Sequence, residues 1–516
     1  MSVRKRLWGF GASSAVALLG CNALLAFDDY SVPSSTGEAG PPADIDASDA
    51  VVPVNEGGVD SPPTDPCLAP NKPLVEILEV TEDQTLECKN DYVLRNQVFV
   101  RTGATLTIQP GTTIFGTRGE ISEFNKVSVL VVQPGGRINA VGTADRPIVF
   151  TSIKPVGQKK PGDWGGVVLL GNAVINQGAR TIEGVGGVGT EITYGGNNDD
   201  DNSGTMKYVR IEYGGFKLGP NNEINGLTFG GVGRATVIDF VQVRMVLDDC
   251  FEFFGGTVNA MHLACQYGQD DGIDWDFGYR GKIQFVVIQQ DPNVYDDMNG
   301  IEADNGANAM EWVKTPISEP TLFNLTLCGP GKAMVRPTVD GGPAPLRTRF
   351  GMVLRRHTRA HIANSIFMGF ESGFDANYAA TPAPAAFTTV KDALDLKNII
   401  FFNNVFAPGD ATANVAFLEV TGGTPAVTYG DDDIAYDEIA ELTTDTLLGN
   451  RTTDPNISGC YDPKAPSFGP ATELPAGDIV PPAGDPFFVP VAYIGAFKDI
   501  KDPWATTGKW PVWNDQ

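Results

Sequence analysis

The chain has 516 residues, with 63 acidic against 37 basic side chains and a net charge of -26 at neutral pH. That balance argues against nucleic acid as a partner, because neutralising phosphates takes clustered Lys and Arg. Three histidines leave little material for a histidine-based metal site or a Ser/His/Asp triad, while 60 glycines and 37 prolines suit short strands joined by turns.

The amino terminus reads as an address. Arg4, Lys5 and Arg6 form a basic start, and the apolar run from Leu7 to Gly20 is too short for a comfortable membrane span but has the length of a signal peptide. It ends in Leu18-Leu19-Gly20-Cys21, which resembles the bacterial lipobox, where the Cys becomes the lipidated first residue. Residues 1–20 are therefore expected to be a lipoprotein signal peptide and Cys21 the lipidation site. The protein is expected to be exported, to meet a membrane through that lipid, and to sit at the outer membrane or cell surface. Residues 21–66 are rich in Pro, Ser, Gly and Asp and read as a disordered acidic tether.

The remaining cysteines fit an exported chain, where an even count allows disulfides. Cys67 with Cys88 would staple the entry to the folded part, and Cys328 with Cys460 would tie down the C-terminal segment. Cys250 and Cys265 flank one repeat and either pair or stay as buried thiols. Other pairings of the six stay open.

Residues 67–95 are expected to cap the start of a repetitive body. TLTIQPGTTIFG from Thr105 and VLVVQPGGRINAVG from Val129 read as near-copies with Pro-Gly at the same turn, and the stretch from Val167 as a looser third copy. In the middle of the chain one five-residue pattern recurs: GLTFG at Gly226, CFEFF at Cys250, GIDWD at Gly272, GIEAD at Gly300, GMVLR at Gly351 and GFDAN at Gly373. Its second and fourth residues are apolar, the alternation of a half-buried strand. Successive copies lie 22 to 28 residues apart, apart from one interval of about two periods, and a second strand follows the first at a similar offset. Short repeats with several strands per period and no helical period between them read as a parallel β-helix, since a propeller blade needs a longer period. The coil is expected over 96–425. Residues 426–516 are expected to be a C-terminal cap, with a helix-like stretch over 437–448 and an apolar Tyr493 to Asn514 segment packed on the coil.

The strings DWGGVVLLGNAVIN, DDDNSGTMKYVRIEYGG, DDCFEFFGGTVN, DDGIDWDFGYRGKIQFVVIQQ, NGIEADN and NSIFMGF resemble a family of bacterial surface lipoproteins, common in gliding and myxobacterial lineages and similar to right-handed parallel β-helix proteins. The likeness covers about Asn96 to Asn404 and the closing Trp-rich tail. It implies the fold and an outer-membrane address, and no activity.

Function candidates come from the third position of each copy. Stacking would line up Glu252, Asp274 and Glu302, joined by Asp276 and Asp304 in the last position of their copies. Like charges one rung apart, about 4.8 Å, raise each other's pKa unless a cation or Arg intervenes. The row is therefore either a site for Ca²⁺ or a glycan, or a solvated acidic face relieved by residues such as Arg280 and Lys282. Asp249 and Asp271 precede two copies in register with Asn225 and Asn299, and read first as a polar ladder at stacked bends, second as ligands. Asp199 and Asp201, in an Asn/Asp-rich loop, weakly resemble a calcium loop without its terminal Glu. His357 and His361 lie in an Arg-rich RRHTRAH stretch without a zinc motif. The glycine strings do not open a strand-then-helix nucleotide site, so no nucleotide is expected.

The expected function is a surface binding or adhesion protein, holding glycan, Ca²⁺ or both on the carboxylate row. The rivals are a polysaccharide hydrolase or lyase, with Asp274, Asp276 and Glu302 as catalytic candidates, and a purely structural surface protein. No paired-carboxylate-plus-His pattern of a pectin hydrolase and no lyase Arg constellation is found, which weighs against the enzyme.

Overall fold

The computed structural model describes residues 65–516 except 119–126, 187–190, 220–221, 295–297, 332–337, 340–341, 344–348, 371, 376–393, 405–419, 422–427, 430–447, 483, 506–507 and 515–516. The expected signal peptide, Cys21, nearly all of the expected tether and most of the helix-like stretch lie outside the described residues. One compact unit begins at Pro62 and runs to the end.

That unit is a right-handed parallel β-helix made of two long parallel sheets. The eight-stranded short sheet contains Gln97–Val100, Val129–Val132, Val167–Leu170, Leu227–Gly230, Phe251–Phe254, Ile273–Asp276, Ile301–Ala303 and Met352–Leu354 in spatial order. The five-residue pattern is this sheet: Thr228, Glu252, Asp274, Glu302 and Val353 are successive register partners, and Asp375 bridges to Val353. Ile273 and Trp275 point inward and are fully buried, as are Phe229, Phe251 and Phe253. The rings of Phe229 and Phe253 stack across rungs at 4.7 Å.

The glycine that opens each copy has a steric cause. A Cβ on Gly272 would come within 2.5 Å of Ile288 and 2.8 Å of the Gly300 carbonyl. At the same register Cys250 replaces glycine, and its sulfur bonds to Cys265 inside the core.

The fourteen-stranded long sheet closes the coil. Its central members are Gly204–Glu212, Val237–Val246, Asn259–Gly268, Lys282–Gln289, Thr321–Cys328, Ala360–Met368 and Leu394–Phe402. Each bends at a left-handed residue, and these stack: Tyr208, Phe240, His262, Phe285, Asn324, Asn364 and Asn398 have φ between 51° and 61°. Asn tolerates that conformation, whereas bulky residues rarely adopt it. Here the aromatic ones stack face to face, with centroids 4.5, 4.0 and 5.0 Å apart.

Two details differ from the sequence reading and a third agrees with it. The coil already begins at Leu74–Ile77, which pairs with Asp91–Leu94 inside the stretch expected as a cap. The two QPG near-copies are not equivalent, because Thr105–Ile108 belongs to the long sheet and Val129–Val132 to the short one. The Val167 strand is a true neighbour of Val129–Val132.

Residues from 448 onward meet the last rung, where Asn398 N–H donates to the Leu448 carbonyl, and then run back along the long sheet as a strap. The strap is fixed by the Cys328–Cys460 disulfide, and the chain entry by Cys67–Cys88. Its carbonyls at Ala476, Ile479 and Tyr493 accept from the side-chain amides of Asn398, Asn364 and Asn324. Farther back, Trp510 is fully buried, packs edge-on against Tyr208 and Phe240, and donates its indole N–H to Val209.

Candidate functional site

The outward face of the short sheet is only partly open to solvent: Glu252 is buried, and Asp274 and Glu302 are half-buried. Two antiparallel pairs stand beside it, Arg180–Thr181 with Thr193–Tyr194 and Phe216–Gly219 with Asn222–Ile224. With the sheet they make a cleft of about 500 Å³, within the ~300–1,000 Å³ typical of ligand sites. Glu252, Asp274, Asp276, Glu302, Asp304, Asp249 and Asp271 all line it, so the candidates from the repeat fall in one place.

The cleft is lined by eleven carboxylates and three arginines, Arg180, Arg355 and Arg356. Charge is balanced at its ends and not in its middle. At one end Arg355 Nη2 lies 3.0 Å from Asp304 and contacts Glu302, while Arg356 reaches Asp304 at 2.7 Å. At the other, Lys217 sits 3.1 Å from both Asp248 and Asp270. Between them the side-chain amide of Asn225 donates to Glu252, and Asp274 Oδ1 has no hydrogen-bond partner among the described residues.

Oxygens of three carboxylates approach within 4.8 Å of one another in three groups: Asp248/Asp249/Asp270, Asp249/Glu252/Asp274 and Asp271/Asp274/Glu302. Burial is the main cause of the resulting pKa shifts. It pushes Asp274 up to about 7 against the pull of Arg355, and Asp276 up to about 8 against the hydrogen bond from the Phe277 N–H. Glu183, beside Glu223, rises to about 7, and Glu252 and Asp249 lie well above the ordinary carboxylate range. Near neutral pH the cleft therefore shares protons that isolated carboxylates would have lost.

The bend residues form the ladder expected of them. Asp271 N–H donates to Asp249 Oδ1 at 2.8 Å, Asn299 N–H to Asp271 Oδ1 at 2.7 Å, and Phe350 N–H to Asn299 Oδ1 at 2.9 Å. One oxygen of Asp249 and one of Asp271 thus hold the backbone, and both side chains also line the cleft.

Several expectations are corrected. Arg280 and Lys282 do not relieve the row: Arg280 pairs with Asp199 at 3.2 Å, and Lys282 pairs with Asp485 of the strap. Arg355, Arg356 and Lys217 do so instead. The RRHTRAH stretch turns a corner, so Arg355 and Arg356 face the cleft while His361 lies on the long sheet between Glu319 and Asp395. His357 is buried near Trp312. Asp199 is taken up by Arg280, Arg234 and the Val174 N–H, and Asp201 by Asn172 and Ser203.

The sequence reading missed Glu183 and Glu223, and with them an aromatic wall of Tyr194, Phe254 and Phe277. Arg180 lies 4.1 Å over the Phe277 ring. Glu183 and Glu223 come from excursions outside the repeat, where register carries no signal. Phe254 could have been found, since it is the fifth residue of its copy, where the next copy has Asp276.

A family model described as a pectate-lyase-like beta helix domain matches residues 78–434. No curated protein and no solved structure matches the chain.

Proposed function

The chain belongs to the pectate-lyase-like β-helix family, and on that premise we propose that the short-sheet cleft binds a polysaccharide segment together with a divalent cation of the Ca²⁺ type. One observation carries this reading: among the described residues the middle of the cleft gathers buried and half-buried carboxylates without matching cations, and an oxygen of Asp274 is left unpartnered. An all-oxygen donor set on a rigid sheet suits a hard cation. Asp249, Glu252 and Asp274, or Asp271, Asp274 and Glu302, would hold it. A bound cation would offset the like-charge repulsion and supply a bridge to sugar hydroxyls or acid groups. The aromatic wall and Arg180 would orient the sugar rings beside it.

A second reading is cleavage of the bound chain. It is favoured by Asp274 and Asp276, which lie two residues apart on one strand, about 7 Å along its axis, with pKa values pushed up to about 7 and about 8. One can be protonated while the other is ionised, which is what an acid and base acting on a glycosidic bond require.

Export and lipid anchoring through Cys21 are part of the proposal. Three disulfides support an oxidising compartment. Placed on a cell surface, the cleft would serve adhesion to, or trimming of, external glycan.

Calorimetry with Ca²⁺ on the wild type and Asp274→Asn tests the cation, and an array of acidic and neutral polysaccharides, scored for retention and for released product, tests the glycan. Heat in the wild type and its loss in the variant support the reading. The absence of heat in both removes the cation, and product release selects cleavage over binding.

A further inference from the structure

A second cavity, larger than the acidic cleft, lies on the other sheet and has the opposite charge. It measures about 1020 Å³ and sits where the end of the strap crosses the long sheet. Five cationic side chains line it, Lys159, Arg210, Arg244, Lys464 and Lys509, and its lining holds a single carboxylate, Glu212. On a chain of net charge -26, a cluster of this sign is not what composition alone would produce.

The cluster is built into the fold. Arg210 and Arg244 stand on adjacent long-sheet strands, where Arg244 pairs in register with Glu212. Glu212 accepts from Arg210 Nε at 3.0 Å and from the Thr151 hydroxyl at 3.1 Å, and lies 3.9 Å from Arg244 Nη1. Its charge is thus already engaged by the two arginines. Lys159 donates to the Thr151 hydroxyl at 2.9 Å and lies 5.6 Å over the Tyr213 ring. The strap supplies the far wall and is held there by Gln242, whose amide donates to the Val512 carbonyl and accepts from the Val512 N–H, both at 2.9 Å.

We propose that this cavity is a second binding site, for a segment of an acidic sugar chain whose carboxylates meet the lysines and arginines. Its volume far exceeds what one small anion fills. The walls alternate cations with the apolar faces of Tyr213, Met245 and Trp513 and the hydroxyls of Thr113 and Thr151, which suits a ligand that carries charge, hydroxyls and flat C–H faces together. Burial, and the neighbouring Arg210 and Arg244, hold the Lys159 ammonium below its usual pKa, and a bound anion would reverse that. This inference is independent of the reading of the acidic cleft.

The test is equilibrium binding to the full chain in EDTA, which silences any cation-bridged binding in the cleft. The probes are a galacturonate tetramer, a neutral maltotetraose, tetraglutamate and sodium sulfate. The galacturonate tetramer is expected to bind, to weaken with added salt, and to weaken at least tenfold in Lys159→Gln/Lys464→Gln; the neutral tetramer is expected not to bind. If the double variant fails to fold, the exposed Lys509→Gln is expected to weaken binding about threefold. Wild-type affinity in the folded variants overturns the proposal, as does no binding of galacturonate. Equal affinity for tetraglutamate or sulfate overturns the sugar assignment by showing a general anion site.

Discussion

The two faces of this coil are built by the same device and end in opposite states. On each, one residue per rung repeats in register, about 4.8 Å from the next. On the long sheet the stacked residues are aromatic rings and amides, which attract one another, and the strap absorbs the hydrogen bonds left over. Gln266 donates both to Gln289 and to the Trp513 carbonyl, and Gln289 passes on to Cys460. On the short sheet the stacked residues are carboxylates, which repel one another, and among the described residues no cation pairs with Glu252 or Asp274 in the middle of the row. A ladder that satisfies itself is structure. A ladder held against its own repulsion is where a ligand has free energy to gain.

The largest effect should come from unfastening the satisfied face. Trp510→Ala removes a fully buried indole and its bond to Val209, and should cost about 3–5 kcal/mol in denaturant unfolding. Ca²⁺ heat at the acidic cleft should survive in the folded fraction; its loss would mean that the faces are coupled. Next is Arg355→Gln, which strips Glu302 and Asp304 of their shared guanidinium. Because Arg355 is partly exposed, the loss should be smaller, roughly 2–3 kcal/mol. It should shrink as pH falls and the two carboxylates take up protons, and a pH-independent loss would show that packing, not charge, is what Arg355 supplies.

Asp274 contributes to the pH dependence of the wild type, in the same direction as Glu183 and Asp276. Its folded pKa, about 7, lies above its ordinary value of 3.8. Between those values the folded state binds the proton more tightly than the unfolded state, so the contribution of Asp274 to stability falls as pH rises from about 4 to about 7 and levels off above, while that of Asp276 keeps falling to about 8. Asp274→Asn should flatten that slope and raise the unfolding midpoint at pH 8, and saturating Ca²⁺ should raise the wild-type midpoint at the same pH. A midpoint in Asp274→Asn that is lower than the wild type at pH 8 would mean that the ionised carboxylate is already compensated.

Register was readable in the sequence because burial writes it twice. Ile273 and Trp275 must be apolar to fill the core, and Gly272 must lack a Cβ beside Ile288. The apolar pair recurs in every copy and the glycine in five of the six, and the outward Glu252, Asp274 and Glu302 inherit their alignment from them. What was not readable lies off the repeat. Glu183 and Tyr194 reach the cleft from excursions whose path no period specifies. The strap was taken for an end cap because its bonds to Gln242, Asn324 and Asn364 join residues 115 to 270 positions apart. The QPG pair misled for a related reason: a Pro-Gly turn identifies the local bend, not which sheet the strand before it joins.

Lys282 gives the smallest effect and the sharpest separation of the two faces. Six residues after Asp276 in the chain, it invites assignment as the counter-charge of the row. Its ammonium instead meets Asp485 on the strap, with about a third of the Lys282 side chain exposed. A pair of that kind contributes about 1 kcal/mol or less, so Lys282→Ala should barely move the unfolding midpoint. It should also leave the pH 4 to 7 slope and the Ca²⁺ heat unchanged, whereas Arg355→Gln should alter both. The two residues carry the same charge and differ in which side of the coil wall they occupy, with Trp275, Phe253 and Tyr279 packed in the core of the coil. A shifted slope in Lys282→Ala would show that charge on the strap side is felt in the cleft, and the two faces would then have to be treated as one electrostatic unit.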